Sequence, residues 1–291
     1  MNFTKIAGKV FRTLVYMFLL CPLCVVICTA FSDTNRVIFP PRGFTLKWFG
    51  RAFANTEFLS SLILSVKIAC VSVVIACVLG TMVSLWFWKS GSRVKGIFET
   101  IFLSPIVIPT IISAVAFLQY FAIFGNMFTN YWKLCLTYAI IEIPYVIRTV
   151  TANLVGLDTG FEEASLVLGA SPVRTLFKVT LPCIRQGIIG GAVFSFVVAF
   201  DECVIIMFMK SAKTVTFPLR LYSYITESFT PLISAFATLF IIVAGVVIYI
   251  VERKIGLSKL YRPVLRPCTA FLYGNGPPYR MGRPKRRNAV K

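Results

Sequence analysis

The chain alternates long apolar runs with shorter polar segments, and the apolar runs have the length of membrane spans. A helix needs about 20 apolar residues to cross the roughly 30 Å hydrocarbon core. Because lipid offers no hydrogen-bond partners to the backbone, separate spans of this kind must be helical. The pattern predicts an all-α membrane protein with six transmembrane helices, which cover about residues 14–31, 62–88, 97–124, 134–150, 187–209 and 232–251.

The composition agrees with this class. Hydrophobic residues make up 57% of the 291 positions, charged residues only 14%, and the mean hydropathy is +0.82. A soluble domain of this size is much less apolar. We therefore predict one transmembrane domain over residues 1–262. Residues 263–291 are rich in Pro, Gly and Arg, and we predict a basic, disordered cytoplasmic tail there.

The distribution of Lys and Arg predicts that both termini are cytoplasmic, since cytoplasmic segments carry the excess of these residues. Before the tail, six spans place ten of them inside and eight outside, although the inner loops are shorter. The inner set is Lys5, Lys9, Arg12, Lys89, Arg93, Lys95, Arg148, Arg174, Lys178 and Arg185. The outer set is Arg36, Arg42, Lys47, Arg51, Lys133, Lys210, Lys213 and Arg220.

Two spans contain prolines in their interior. The third carries Pro105 and Pro109, which predict a single kinked helix whose freed carbonyls are satisfied by neighbours. The fourth is the least hydrophobic of the six, with Glu142 and Pro144 near its centre.

A polar loop over residues 158–182 joins the fourth and fifth spans, and its local signals predict a helix–turn–helix at the cytoplasmic surface. Thr159 and Glu162 have the spacing of a capping box, in which Thr159 is the N-cap. Gly169 is placed to end this helix in the left-handed conformation. Ser171 as N-cap and Pro172 at the first position begin a second helix.

The second helix of the loop is predicted to be amphipathic. Val173, Leu176 and Phe177 share one face, and Arg174 and Lys178 lie on the other. The dipeptide Leu181-Pro182 is expected to end it before the fifth span. Such a loop serves either as an amphipathic connector resting on lipid or as a docking site for a cytoplasmic partner.

The same loop resembles the EAA motif of ABC-transporter permeases of the binding-protein-dependent (MetI-like) family. The motif's residues are matched by Glu163-Ala164-Ser165, then Gly169, then nine residues, then Val179-Thr180-Leu181-Pro182. The sequence departs from the usual pattern at Ser165, Val167, Val179 and Gln186. The resemblance implies that the loop couples to an ATPase subunit through Glu162, Glu163, Ala164, Gly169, Ala170, Leu181 and Pro182.

The resemblance covers roughly residues 10–262, and three further strings are similar to the second permease subunit of spermidine/putrescine importers. These strings are Phe39-Pro-Pro-Arg-Gly-Phe-Thr45, Ile143-Pro-Tyr-Val-Ile-Arg-Thr-Val150 and Phe200-Asp-Glu202. The likeness implies a polyamine importer in a bacterial inner membrane. A homologous permease would form a heterodimer with this chain, an ATPase dimer would bind the ATP, and an external binding protein would deliver substrate. An importer of another organic cation, ferric ion or an anion is the first alternative, and an ion-coupled secondary transporter is the second.

Three acidic residues fall well inside predicted spans, at least seven residues from either end, where an ionised carboxylate costs at least about 2.5 kcal/mol. They are Glu142, Asp201 and Glu202. Asp201 and Glu202 would lie about 100° apart on a helix, so they cannot line one narrow channel equally well. Our hypothesis is that one lines the pathway and attracts a cationic amine while the other is held by a hydrogen bond, and that Glu142 forms a second pole. Pairing with Lys67 or with a partner permease is the structural alternative.

Several function classes are excluded by what the sequence lacks. It has no histidine and no Walker-type phosphate-binding string, so it offers neither a Ser-His triad nor an ATPase site of its own. We predict no enzyme activity, no cofactor and no metal site. The formal charge of +19 is spread over loops and tail without a dense basic and aromatic face, so nucleic acid is not an expected partner. Membrane lipid is.

Overall fold

A computed structural model describes residues 3–91, 94–125, 127–211 and 214–255. Within these ranges the regular elements are helices, apart from one isolated bridge between Ser211 and Thr214. The predicted tail at 263–291 lies outside the described residues, as do Arg93 and Lys213 of the charge count. The helices are α1 (Phe3–Ala30), α2 (Lys47–Ala54), α3 (Thr56–Lys89), α4 (Lys95–Val107), α5 (Thr110–Ile123), α6 (Asn130–Val155), α7 (Gly160–Val167), α8 (Pro172–Thr175), α9 (Leu181–Asp201), α10 (Val204–Met209), α11 (Phe217–Glu227) and α12 (Pro231–Ile255).

The predicted all-α membrane class is confirmed. In the described part of the chain, four helical segments are long and apolar enough to cross a membrane: α1, α3, α6 and the continuous stretch Pro172–Asp201. The pair α4 and α5 makes a fifth if the two helices are taken as one span. A shorter apolar helix covers Pro231–Val246 at the position of the predicted sixth span.

The third predicted span is not one kinked helix. Helix α4 ends at Val107 and α5 begins at Thr110, and their axes differ by 106°. Ile108 between them is extended, with φ −73° and ψ 128°. Proline at position 109 explains the break, because the residue before a proline is driven out of the helical region. Pro105, by contrast, is accommodated inside α4.

The fifth predicted span is also divided. Helix α9 begins at Leu181, earlier than predicted, and ends at Asp201. Glu202 is extended, with φ −67° and ψ 111°, and the short helix α10 follows from Val204. Asp201 and Glu202 are therefore not two successive residues of one helix, as the sequence had suggested, but the two sides of a helix break.

Helix α6 is the centre of the fold. Its residues Val146, Ile147 and Val150 are buried in a core that includes Ala76 of α3 and Ile184 of α9. Glycines permit close approach at these helix crossings, since a Cβ added at Gly80 of α3 would lie 2.8 Å from the Val146 side chain. Small residues at crossings are the usual means of packing helices in membranes. This three-helix core carries both the polar loop and the intramembrane acids.

A second, aromatic core joins the last two helices to α3. Phe58 of α3 stacks on Phe236 of α12 with 4.0 Å between ring centroids, and Phe217 of α11 packs edge-on against both rings. The backbone N–H of Phe217 donates to Ser65 Oγ at 2.7 Å. These contacts fix α12 to the bundle.

Candidate coupling loop and pathway residues

The polar loop begins with α7, but its start differs from the predicted capping box. Thr159 has helical dihedrals, φ −62° and ψ −23°, and its side chain makes no cap hydrogen bond. Instead, Asp158 Oδ1 accepts from the backbone N–H of Gly160 at 2.9 Å. The predicted box is wrong because its second member, Glu162, is turned inward to other partners.

The end of α7 confirms that Gly169 ends this helix in the left-handed conformation. This glycine has φ +85°, a conformation that L-residues with side chains rarely adopt. Its N–H donates to the Leu166 carbonyl at 2.9 Å, and the N–H of Ala170 donates to the Ser165 carbonyl at 3.1 Å. Together these two bonds form a Schellman motif, which satisfies the last carbonyls of the helix.

The second helix of the loop starts as predicted but does not stop where predicted. Ser171 Oγ accepts from the backbone N–H of Arg174 at 3.3 Å, with Pro172 at the first helical position. Residues Leu176–Thr180 then form a π-helical turn, in which the N–H of Leu181 donates to the Leu176 carbonyl. The helix runs on into α9 instead of ending at Leu181-Pro182. A wider turn at this point accommodates Pro182, which has no N–H to donate.

The two neighbouring acids of α7 have opposite environments. Glu162 is turned toward the protein, with its side chain 14% exposed, and its Oε2 lies 3.1 Å from Lys89 Nζ. Its Oε1 accepts a hydrogen bond from the hydroxyl of Thr180. Glu163 and Ala164 are exposed on the other side of the helix. At the start of α7, the Glu163 side chain is therefore exposed, while the Glu162 carboxylate contacts Lys89 and Thr180.

The outer side of the loop is apolar to an unusual degree. Val167 is 87% exposed and Leu168 is 83% exposed. Of the three residues predicted to share the apolar face of the second helix, Val173 and Phe177 are exposed and Leu176 is half-buried. Exposed apolar clusters rimmed by polar residues mark interaction sites. We call this the coupling surface; it consists of Glu163, Leu166, Val167, Leu168, Val173 and Phe177.

The acids at the helix break also separate into two roles. Glu202 Oε1 accepts from the backbone N–H groups of Val204 and Ile205, at 2.8 and 3.0 Å, so its carboxylate caps the start of α10. The carbonyl of Glu202 accepts from the Tyr138 hydroxyl at 3.2 Å. Asp201 is exposed at the last position of α9. The bonds to Glu202 agree with the prediction that one of the two carboxylates is held by hydrogen bonds, and the pathway role of the other stays a prediction.

Asp201 lies on an exposed face of α9. Val197, one turn before it, is 58% exposed, and Phe194, two turns before it, is 51% exposed. A carboxylate on such a face of a membrane helix must meet water, a substrate or another chain, because lipid would impose a large cost.

Glu142 lies in a different environment. It is 1% exposed, and its Oε1 accepts from Ser72 Oγ of α3 at 2.9 Å, while Oε2 has no hydrogen-bond partner among the described residues. Lys67, the predicted alternative partner, is exposed. The ion pairs found among the described residues include neither Lys67 nor any of the three acids.

Sequence reasoning did not find Lys89, Thr180, Ser72 or Tyr138 as partners of these acids. Lys89 entered only as a topology charge, and nothing local to residue 89 points to residue 162. Within the described ranges, no three His, Cys, Asp or Glu side chains come together in a way that could hold a metal ion.

The chain is similar in sequence to known transport permeases. The chain is 28% identical over 234 residues to the spermidine/putrescine transport system permease protein PotC of Haemophilus influenzae, covering 80% of this chain and 90% of that protein. It is 27% identical over 245 residues to the putrescine transport system permease protein PotI of Escherichia coli strain K12, covering 81% and 85%.

A solved structure shares the fold. It is a chain of a bacterial ABC transporter involved in the import of the acidic polysaccharide alginate, with a TM-score of 0.60, 16% identity, and coverage of 87% of this chain and 98% of that one. Residues 72–256 match the family described as the binding-protein-dependent transport system inner membrane component. Since this match spans more than half of the chain, the protein belongs to that family, whose members are non-catalytic membrane subunits of ABC transporters.

Proposed function

We propose that this chain is the permease subunit of an ABC importer for polyamines, in which Asp201 is the acid of the translocation pathway. The observation that carries the proposal is the exposed carboxylate of Asp201 at the break between α9 and α10, on a face that the described part of the chain leaves open. Two relatives, PotC and PotI, are described as permeases for spermidine or putrescine. A fixed anion suits such substrates, which are cationic amines.

The helix break adds to the field of Asp201. The C-terminal end of a helix carries partial negative charge, so a cation at the end of α9 is attracted by both the carboxylate and the dipole. Broken membrane helices with exposed backbone ends commonly form cation sites in transporters. Glu202 keeps this arrangement in place by capping α10. Glu142, predicted as a second pole, would meet substrate only if α3 and α6 separated.

The coupling surface is the proposed docking site for a cytoplasmic ATPase dimer, which binds the ATP. Glu163 belongs to this surface, and Ala164 is exposed next to it. Gly169 and Ala170 form the turn between α7 and the second helix of the loop, which continues through Leu181 and Pro182 as α9. Glu162 supports it from behind. ATP-driven closure would then move α7, and through it the spans, in an alternating-access cycle.

The topology in this proposal has six crossings of the bacterial inner membrane, with both termini in the cytoplasm. The bent pair α4 and α5 counts as the third crossing and α12 as the sixth. A homologous permease would cover the open face of α9 to form a heterodimer, and an external binding protein would deliver substrate. The described charges of the inner segments, including Lys89, Arg148 and Arg174, support this orientation.

The test is ATP-dependent spermidine and putrescine uptake by the reconstituted complex. Asp201→Asn removes the charge and keeps the size, and losing a charged contact of about 1.5–3 kcal/mol predicts roughly a tenfold or greater loss of uptake at low substrate. Glu227→Gln is the matched control, because this acid is exposed at the end of α11, far along the chain from the break. Uptake that is equal in wild type and Asp201→Asn, at equal expression, would contradict the proposal.

A further inference from the structure

One carboxylate in the cytoplasmic loop connects its own helix to two other elements of the fold. Glu162 belongs to α7, its Oε2 lies 3.1 Å from Nζ of Lys89, and its Oε1 accepts from the hydroxyl of Thr180. Lys89 is the last residue of α3, and Thr180 is the last residue of the π-helical turn that leads into α9. Helix α7, which carries the first part of the coupling surface, is thus connected to the ends of two spans through a single side chain.

The surroundings make this more than a surface ion pair. Thr180 is fully buried, and the Glu162 side chain is 14% exposed against 55% for Lys89. Exposed ion pairs contribute little to stability because water screens them. Here the Glu162 carboxylate is largely shielded from water and also accepts a hydrogen bond from the buried Thr180 hydroxyl. Contacts within the protein therefore fix the position of this carboxylate.

Two neighbouring contacts reinforce the attachment. The hydroxyls of Ser165 and Thr175 lie 3.0 Å apart and link α7 to α8. Phe161, next to Glu162, packs against the core cluster that contains Phe87 of α3 and Ile184 of α9. One side of α7 is therefore attached to the spans by apolar and polar contacts, while Glu163 on the other side stays free for a partner.

We propose that Glu162 is a positioning residue that transmits the movement of α7 to α3 and α9. The inference rests on the proposed function and deepens it, since it divides the two adjacent acids by role. Glu163 belongs to the joint with the ATPase, and Glu162 belongs to the joint between the coupling helix and the membrane spans. Without the Lys89–Glu162–Thr180 cluster, ATP hydrolysis continues but drives less transport.

The experiment uses charge reversal in the complete reconstituted complex, with ATP hydrolysis and spermidine uptake measured on the same proteoliposomes. Lys89→Glu places two carboxylates together, and Glu162→Lys places two ammonium groups together. In the double variant the pair is restored with reversed sign, and an ammonium at position 162 can donate to the Thr180 hydroxyl. Lys95→Glu, the same change at the start of α4, is the control. Lys89→Gln is the milder variant if charge reversal lowers expression.

We expect each single reversal to lower uptake per ATP hydrolysed by about threefold to tenfold, since the pair is lost and replaced by repulsion. Hydrolysis and ATPase binding should stay within about twofold of wild type, and the double variant should recover most of the ratio. Unchanged uptake per ATP in both single variants would overturn the proposal. So would a double variant that is as poorly coupled as the single ones.

The outcomes separate this proposal from the proposed function. If the wild-type chain binds no ATPase, the proposed function fails and the role of Glu162 fails with it. If the ATPase binds and Asp201→Asn lowers uptake while Lys89→Glu leaves coupling intact, only the role of Glu162 is refuted. A merely structural role for the pair predicts lower amounts of folded complex with a normal ratio, and that result also refutes transmission.

Discussion

Adding one methyl group at Gly191 tests whether α9 packs against α6 as closely as the structure shows. A Cβ built at this residue would lie 2.6 Å from Thr149 Oγ1 and 3.1 Å from the Val146 Cα. The Thr149 hydroxyl is bonded to the carbonyls of Tyr145 and Val146, so turning it away costs a hydrogen bond. The Val146 contact is backbone, and relieving it requires moving α6 itself.

The neighbouring glycine provides the matched control. At Gly190 an added Cβ meets no atom of the described residues within 4 Å. Both Gly→Ala changes gain the same helix propensity, about 0.5–1 kcal/mol, so this term cancels when the two variants are compared. Overpacking costs about 1–3 kcal/mol. Gly191→Ala should therefore be less stable than Gly190→Ala by about 1–3 kcal/mol, or about 5- to 150-fold in the unfolding equilibrium.

The assay is unfolding of the purified chain in mixed micelles by increasing SDS, followed by far-ultraviolet circular dichroism. Gly190→Ala should unfold at or above the wild-type midpoint and Gly191→Ala clearly below it. Equal midpoints for the two variants would show that the crossing of α9 over α6 is looser than described, and would refute the packing on which the position of Asp201 depends.

Further predictions concern the caps and the buried carboxyl group. Ser171→Ala removes the acceptor for the Arg174 N–H and should cost about 1 kcal/mol, so trypsin cleavage in the loop should accelerate about fivefold, with Ser171→Asp restoring resistance. Ser72→Ala removes the donor to Glu142 and should lower stability by about 0.6–1.7 kcal/mol in the SDS assay. Ser60→Ala, an exposed change on the same helix, should have almost no effect. Glu142→Gln keeps an acceptor for Ser72, and polyamine uptake within about twofold of wild type is expected.

The elements that sequence predicted well are those whose signal is contained in one continuous segment. Helices α1, α3 and α6 follow from long apolar runs, because a span needs only length and low polarity. The Schellman end at Gly169 and the cap at Ser171 follow from residues within one turn of each other. Local chemistry decides these features, so local sequence is enough.

The features that sequence missed depend on distant partners or on competition between local signals. The short amphipathic helix α2 was hidden in a polar connection; Trp48, which is buried and donates to the Ser32 carbonyl at 2.8 Å, anchors it. Thr159 and Glu162 have the spacing of a capping box, yet Glu162 bonds Lys89 and Thr180 instead. The proline signals at positions 105 and 109 were recognised, but their spacing does not say which of the two would break the helix.

The intramembrane acids show the same limit. Residue types and positions predicted that one of Asp201 and Glu202 would be held by hydrogen bonds, and Glu202 is. They did not predict that the helix would break between the two. The burial of Glu142 against Ser72 depends on how α3 crosses α6, which the pattern of a single helix does not contain.

The central claim is that the coupling surface docks an ABC ATPase, and co-purification tests it most directly. Wild-type chain should retain the ATPase of its own transport system through affinity purification in detergent. Gly169→Ala strains a residue with φ +85° and should disturb the turn, and Glu163→Gln should weaken the joint, so both should retain far less ATPase. Gly190→Ala should retain as much as wild type. Equal ATPase retention in all four proteins would contradict the account.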